Sequence, residues 1–427
     1  MSSPNLRLVR LAPDPLGLYV RAGRIDQKDL QTFISRGAAS FNGVVFEAKR
    51  VENQRELLSL VLERGFDALL DPQTQAMATV GGYTSSMDKL PWSEKRPHTL
   101  DDFGTMFQQR QVVDEIAQFA IKHGFTQVLA PTHLILGPND PWLAIDIATA
   151  NALRSSLDRH GAGHIQVHYS LALSYEAFRT TPMRLAVIES LRHASIDGLW
   201  LNISGCGADS SPTAVTRYAD AATDFHCLGV PIVADHVGGL VGLSLLAFGA
   251  VGGLAHGVTL GERFNVSGWL KKPDGKAFGA KTRIYLPQID LLLPRDAAEK
   301  FFEIGGGRAR SAFGCRDTDC CHRGIEDMLQ APAQHYLYQR TRQVVGLGRI
   351  PESLRPSQFL EEHLRPASDI GLRATNLTLP DELAAKIAKQ AKRLNDLRTT
   401  LGPYAKKQRD VTFARHPVTR FARSGNR

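Results

Sequence analysis

Between about residues 40 and 305, short apolar runs alternate with amphipathic helical patterns, and few folds accept that order. The runs fall at 43–47, 67–71, 126–130, 165–168, 198–202, 231–235, 252–256 and 283–287. The helical stretches between them carry apolar residues at helical spacing, as Leu57, Leu58, Val61 and Leu62 do before Gly65. Glycines such as Gly65 and Gly124 stand where a helix must stop. Eight strand–helix units are the count of a closed (β/α)8 TIM barrel. An open doubly wound sheet would want a glycine-rich turn after its first strand, but Glu47, Ala48, Lys49 and Arg50 stand there.

This pattern divides the chain of 427 residues. Residues 1–40 read as a lid on the barrel's bottom or side, and 41–305 as the barrel. Residues 306–345 form a cysteine-rich segment, and 346–427 a helical, basic region punctuated by prolines. No run approaches the ~18 apolar residues of a membrane helix. The first residues lack the apolar core of a signal peptide, so a cytoplasmic protein is expected.

Three of the five cysteines lie within seven residues: Cys315, Cys320 and Cys321. An odd, clustered set is not a disulfide framework. Closely spaced thiolates on a polar stretch suit a tetrahedral Zn²⁺. A fourth ligand is required, and His322 and His335 are the candidates. His335 is preferred, because a helix folding back over a cysteine turn closes such a site without cramping three consecutive ligands. Four protein ligands make the zinc structural.

In a barrel, chemistry gathers at the C-terminal ends of the strands. Those ends carry Glu47, Asp71, His133, His168, Asn202, Asp235, His236 and His256. Asp71 and Asp235 are the expected catalytic carboxylates. Gln75, Asn202, His236, Gly238 and His256 are expected to bind substrate. Gly238 would let the backbone come close to a ligand, and the turn 202–207 would offer amide N–H donors. Alternatively, His133, His236, His256, Asp71 and Asp235 would hold a catalytic metal in a small-molecule hydrolase or lyase.

The formal net charge is +8. From Ala391 onward ten basic residues face only Asp396 and Asp410, which accounts for the whole excess. With Tyr404 and Phe413 interleaved, this tail could hold the phosphates of tRNA or DNA.

Together these stretches resemble the tRNA-guanine transglycosylase superfamily, including its paralogues that insert 7-deazaguanines into DNA. Asp71-Pro-Gln-Thr-Gln75 is similar to the family's strand ending in its catalytic aspartate. Asp197-Gly198, followed by Ser204-Gly205, is similar to its substrate-binding strand and turn. Cys315, Cys320, Cys321 and His335 match its zinc ligands by type and order, with a different cysteine spacing. The resemblance implies a zinc-stapled barrel that exchanges or modifies a purine base in nucleic acid. The segment matching the family's nucleophile reads Gly253-Leu-Ala-His256-Gly257 and holds no aspartate, so Asp235 or an insertion residue would substitute. Without a nucleophile the chain would bind or cleave without exchange, or be a non-catalytic nucleic-acid-binding protein.

Overall fold

The computed structural model describes residues 16–409, except 38, 138 and 272–281. Eight parallel strands close on themselves: β1 (Gly17–Arg21), β2 (Gly43–Glu47), β3 (Asp67–Asp71), β4 (Gln127–Leu129), β5 (Gln166–Ser174), β6 (Gly198–Ser204), β7 (Ile232–Asp235) and β8 (Gly253–Gly257). Pairing of β4 with β5 and of β8 with β1 completes the ring, while Leu134–Ile135 adds a short extension beside β5. The expected (β/α)8 barrel is therefore present.

Its boundaries differ from the expected ones. Gly17–Arg21, placed in the lid by sequence, is the first barrel strand and pairs with both β2 and β8. The run at 283–287, expected as the eighth strand, instead forms an antiparallel hairpin outside the ring: β9 (Arg283–Leu286) with β10 (Leu291–Pro294). An apolar run states that a strand will form, not which neighbour it will pair with. The turn at Asp290, with φ of 48°, sends the chain straight back.

Alternate residues point into the ring. Tyr19, Val45, Leu69, Leu129, Trp200, Val233 and Ala255 meet there as one dry cluster. Two residues further along their strands, Arg21, Glu47, Asp71, Asn202, Asp235 and Gly257 form the next layer, at the mouth. The other strand face joins the helices in the main core.

Local signals start the outer helices. Asp140 and Ser211 cap helices that open on Pro141 and Pro212. Thr105 and Gln108 form a capping box, and Gly124 ends the same helix with φ of 72°. The eighth helical position is filled by Pro332–Gly348, which packs against β1, helix Gln27–Ser35 and helix Gly239–Ala247. The helix bearing His335 thus closes the barrel wall and is no separate appendix. The long helix Asp381–Arg409 lies across Arg365–Ala374 and Pro212–Asp224.

Candidate active site and metal centre

Arg21 organises the mouth. Its Nε donates to Asp235 Oδ1 at 2.7 Å, its Nη2 to Asp235 Oδ2 at 2.5 Å, and its Nη1 to Asp71 Oδ2 at 2.8 Å. The two sequence-nominated carboxylates therefore sit at one opening, joined by a residue the sequence analysis missed. Burial works to raise the Asp235 pKa, but the Arg21 charge outweighs it and the carboxyl is held below its ordinary value. Asp235 is fully buried, whereas the Asp71 side chain keeps 19% exposure. The Asp71 Oδ1 accepts the backbone N–H of Gln73 at 2.9 Å, and Gln73 adopts the left-handed conformation this turn demands. Glu47, the third carboxylate, pairs with Arg50 at 3.1 Å and Lys49 at 3.6 Å.

Beside these ions lies an amide network. Gln75 Nε2 donates to Thr132 Oγ1 at 3.0 Å and to the carbonyl of Ser170 at 2.8 Å. Asn202 Nδ2 donates to Gln75 Oε1 at 3.2 Å. The Asn202 Oδ1 is buried and has no hydrogen-bond partner among the described residues. It is an acceptor left over at the mouth, where a ligand N–H could complete it.

His236 also reaches the mouth. Its φ of 58° is unusual for a residue other than glycine. Its Nδ1 lies 3.2 Å from the carbonyl of Gly261, and its ring stacks on Phe264 with centroids 5.8 Å apart. Phe264 belongs to a strap, residues 262–269, that runs beside the end of β6 and packs on Leu134 and Ala172. The N–H groups of the turn 202–207, expected to serve a ligand, are partly used by the protein itself. Gly205 donates to the Phe264 carbonyl at 2.9 Å and Gly207 to Ser210 Oγ at 2.9 Å.

Two expected binding residues lie elsewhere. His256 follows Ala255, which points inward, so its own side chain faces outward. It meets Tyr336, whose hydroxyl lies 3.1 Å from Nδ1. Gly238 approaches a protein carboxylate and not a ligand: a Cβ there would fall 2.2 Å from Glu262 Oε1. Glu262 and Asp290 accept the N–H groups of Gly239 and Leu240, at 3.1 and 2.8 Å, and so occupy that helix N-terminus. Arg340 balances both acids, at 2.9 Å each. His133, a candidate metal ligand, is instead fully buried with Asp146, its Nδ1 2.6 Å from Oδ1.

The cysteine group does converge. The ligand atoms of Cys315, Cys320, Cys321 and His335 all lie within 4.8 Å of one another. Cys320 and Cys321 sulfurs are 3.7 Å apart, and His335 Nδ1 is 3.3 and 3.4 Å from them. A tetrahedral ion with bonds of about 2.3 Å to sulfur and about 2.0 Å to nitrogen spaces its ligands about 3.8 Å (S to S) and about 3.5 Å (S to N). His335 Nε2 lies 3.1 Å from the Tyr285 carbonyl, which fixes Nε2–H as donor and leaves Nδ1 as ligand. The set fits a metal ion. His322 is not part of it.

The basic tail is only partly a free surface. Arg393 donates to the carbonyl of Ala208 at 2.6 Å, Arg398 pairs with Asp369 at 2.8 Å, and Lys392 with Asp396 at 2.9 Å. Arg415, Arg420, Arg423 and Arg427, with Phe413, lie outside the described residues. No helix among the described residues is long and apolar enough to cross a membrane.

No protein-family model matches the chain, and no curated protein matches it. Solved structures with similar folds include a type I 3-dehydroquinate dehydratase from Clostridium difficile, at 10% identity and TM-score 0.36, covering 59% of this chain and 88% of that one. A GH26 beta-mannanase from Bacteroides ovatus aligns at 11% identity and TM-score 0.37, covering 57% and 80%. Likeness at this level carries no argument about chemistry, and the barrel rests on its own strand pairing.

Proposed function

We propose that this barrel is a transglycosylase-like enzyme acting at the glycosidic bond of a purine in nucleic acid, by base exchange or another modification. The observation that carries the reading is the bridge from Arg21 to both Asp71 and Asp235 at one opening. It fixes the Asp71 carboxyl at that opening, where it can face a sugar carbon that gains positive charge as its base departs. Asp235 holds Arg21 in place. Gln75 holds the Asn202 amide in place, and the buried Asn202 Oδ1 suits a ring N–H of a base. A base would have to leave its stack to enter. The Cys315, Cys320, Cys321 and His335 group would hold a structural zinc, which ties the hairpin carbonyl of Tyr285 to the closing helix.

The test is incubation of the full chain with transfer RNA or DNA and labelled guanine or 7-deazaguanine. The reading expects a change in the purine content of one polymer, seen by mass spectrometry of its nucleosides and lost in Asp71→Asn. A polymer that emerges unchanged and is not bound even at low salt defeats it. Removing residues 410–427 tests the tail, since the preceding part of the basic segment is packed helix. The catalytic-metal alternative gains nothing from the geometry, because His133 and His256 point away from Asp71 and Asp235.

A further inference from the structure

We infer that His236 is the general base of the mouth and that the nucleophile it serves is water, so that the protein hydrolyses the glycosidic bond. This rests on the proposed action at a purine in nucleic acid and names the reaction class of that same site.

Each carboxylate of the mouth layer is already committed to a cation. Asp235 takes two bonds from Arg21, Asp71 takes one from Arg21, and Glu47 takes Arg50 and Lys49. Their oxygens are turned to cations inside the protein. His236 differs. Its Nδ1 is placed to donate to the Gly261 carbonyl at 3.2 Å, which leaves the lone pair on Nε2. Among the described residues Nε2 has no hydrogen-bond partner, and its nearest acid oxygen is Asp235 Oδ1 at 3.9 Å. The side chain keeps 24% exposure, so a water can reach it.

The backbone supports the assignment. His236 is held at a positive φ between Asp235 and the glycine pair Gly238-Gly239, and such conformations concentrate where function needs them. Phe264 stacked on one ring face fixes the orientation of the imidazole. The charged and titratable groups acting on it are Asp235, Arg21 and Asp71 from β7, β1 and β3, and His256 is coupled to it weakly from behind β8. Burial lowers its pKa first, opposed by Asp235, and the net direction is downward, which keeps the imidazole neutral near pH 7.

In the step, Nε2 takes one proton from water as the water oxygen bonds to the sugar C1′. The C1′–N bond breaks, and its electron pair leaves with the base. The imidazolium releases its proton to solvent, and the departing base nitrogen takes one from solvent. Asp71 faces the charge that builds on the sugar.

The experiment uses the full chain with transfer RNA and, separately, a guanine-containing single-stranded DNA, in ¹⁸O water with tritiated guanine added. The expected result is free base and abasic sugars carrying ¹⁸O at C1′, without uptake of tritium. His236→Asn should slow release by about 10²–10⁴-fold and remove the acidic limb of the pH profile. Asparagine tolerates the left-handed backbone, so this variant can fold. Tritium uptake that is indifferent to His236→Asn overturns the hydrolytic role and leaves base exchange standing. No change in either polymer overturns the purine reading itself. Nitrogen NMR of the imidazole decides without substrate: an Nε2–H tautomer or an imidazolium at pH 7 overturns the base assignment.

Discussion

Arg21 and Asp235 form a two-point ion pair, with Nε on one carboxylate oxygen and Nη2 on the other, and the carboxylate has no exposure to solvent. Such a pair is costly to bury and costlier to break. The same guanidinium spends its remaining arm on Asp71, so it fixes the spacing of both acids.

Arg21→Met should therefore destabilise the fold by about 3–5 kcal/mol, because it strands Asp235 as a buried charge. Arg21→Lys should recover only part of this, since an ammonium cannot serve three bonds in a fork. Urea unfolding of the two variants checks the order. The wild-type pair also has a pH signature. The Asp235 pKa is lowered on folding, so its stabilisation is present above the ordinary carboxylate value and is lost as pH falls below it. Arg21→Met should show a shallower acid limb.

His168 and His98 give a second pH dependence. Burial pushes His168 down to about 3, and burial with the neighbouring His133 charge pushes His98 down to about 4. An unfolded chain binds their protons near pH 6.5 and the folded one does not. Stability should fall as pH drops from about 6.5 towards 4, by about 1.4 kcal/mol per pH unit for each histidine. His168→Gln should flatten that slope in denaturant melts across this range.

The cysteine cluster predicts one metal ion per chain by elemental analysis. Without a cation the three sulfurs compete for charge: hydrogen bonds from Cys320 and Cys321 lower Cys315, while Cys320 is pushed up to about 12 and Cys321 is raised. Binding a cation resolves that conflict by deprotonating all three. Cys320→Ser or a strong chelator should remove the metal and lower thermal stability, with loss on the order of several kcal/mol. A metal-free preparation that melts at the wild-type temperature would refute a structural role.

Most of the mouth could be read from the chain because apolar strands ending in Asp71, Asn202 and Asp235 announce themselves. Arg21 could not, since Gly17–Arg21 is short and follows a polar, proline-interrupted stretch. Its one signal was an arginine closing the run Leu-Tyr-Val. His256 was misassigned for another reason. A parallel strand covered on both faces shows no alternation, so inward and outward residues look alike. The hairpin at Arg283–Leu286 mimicked a barrel strand because local propensity does not specify the pairing partner. Convergence of His335 with the cysteines depends on Pro332–Gly348 filling the eighth helical place, which is a tertiary fact.

Gly238 offers the last test, of the loop that carries His236. In Gly238→Ala the new methyl would meet Glu262 Oε1 at 2.2 Å and its carboxyl carbon at 2.6 Å. Glu262 cannot swing aside cheaply. Its Oε1 accepts from Gly239 N–H, from the Tyr336 hydroxyl at 2.7 Å and from Arg340 at 2.9 Å. Moving it takes one of two acid partners from the buried Arg340 and one acceptor from the helix N-terminus, leaving Asp290 to serve both alone. The substitution should cost about 1–3 kcal/mol by overpacking. It should also disturb the β7–helix loop two residues from His236. Urea melts measure the cost, and the imidazole NMR signal of His236 reports the displacement. A neutral outcome in both would show that Glu262 does not hold this loop.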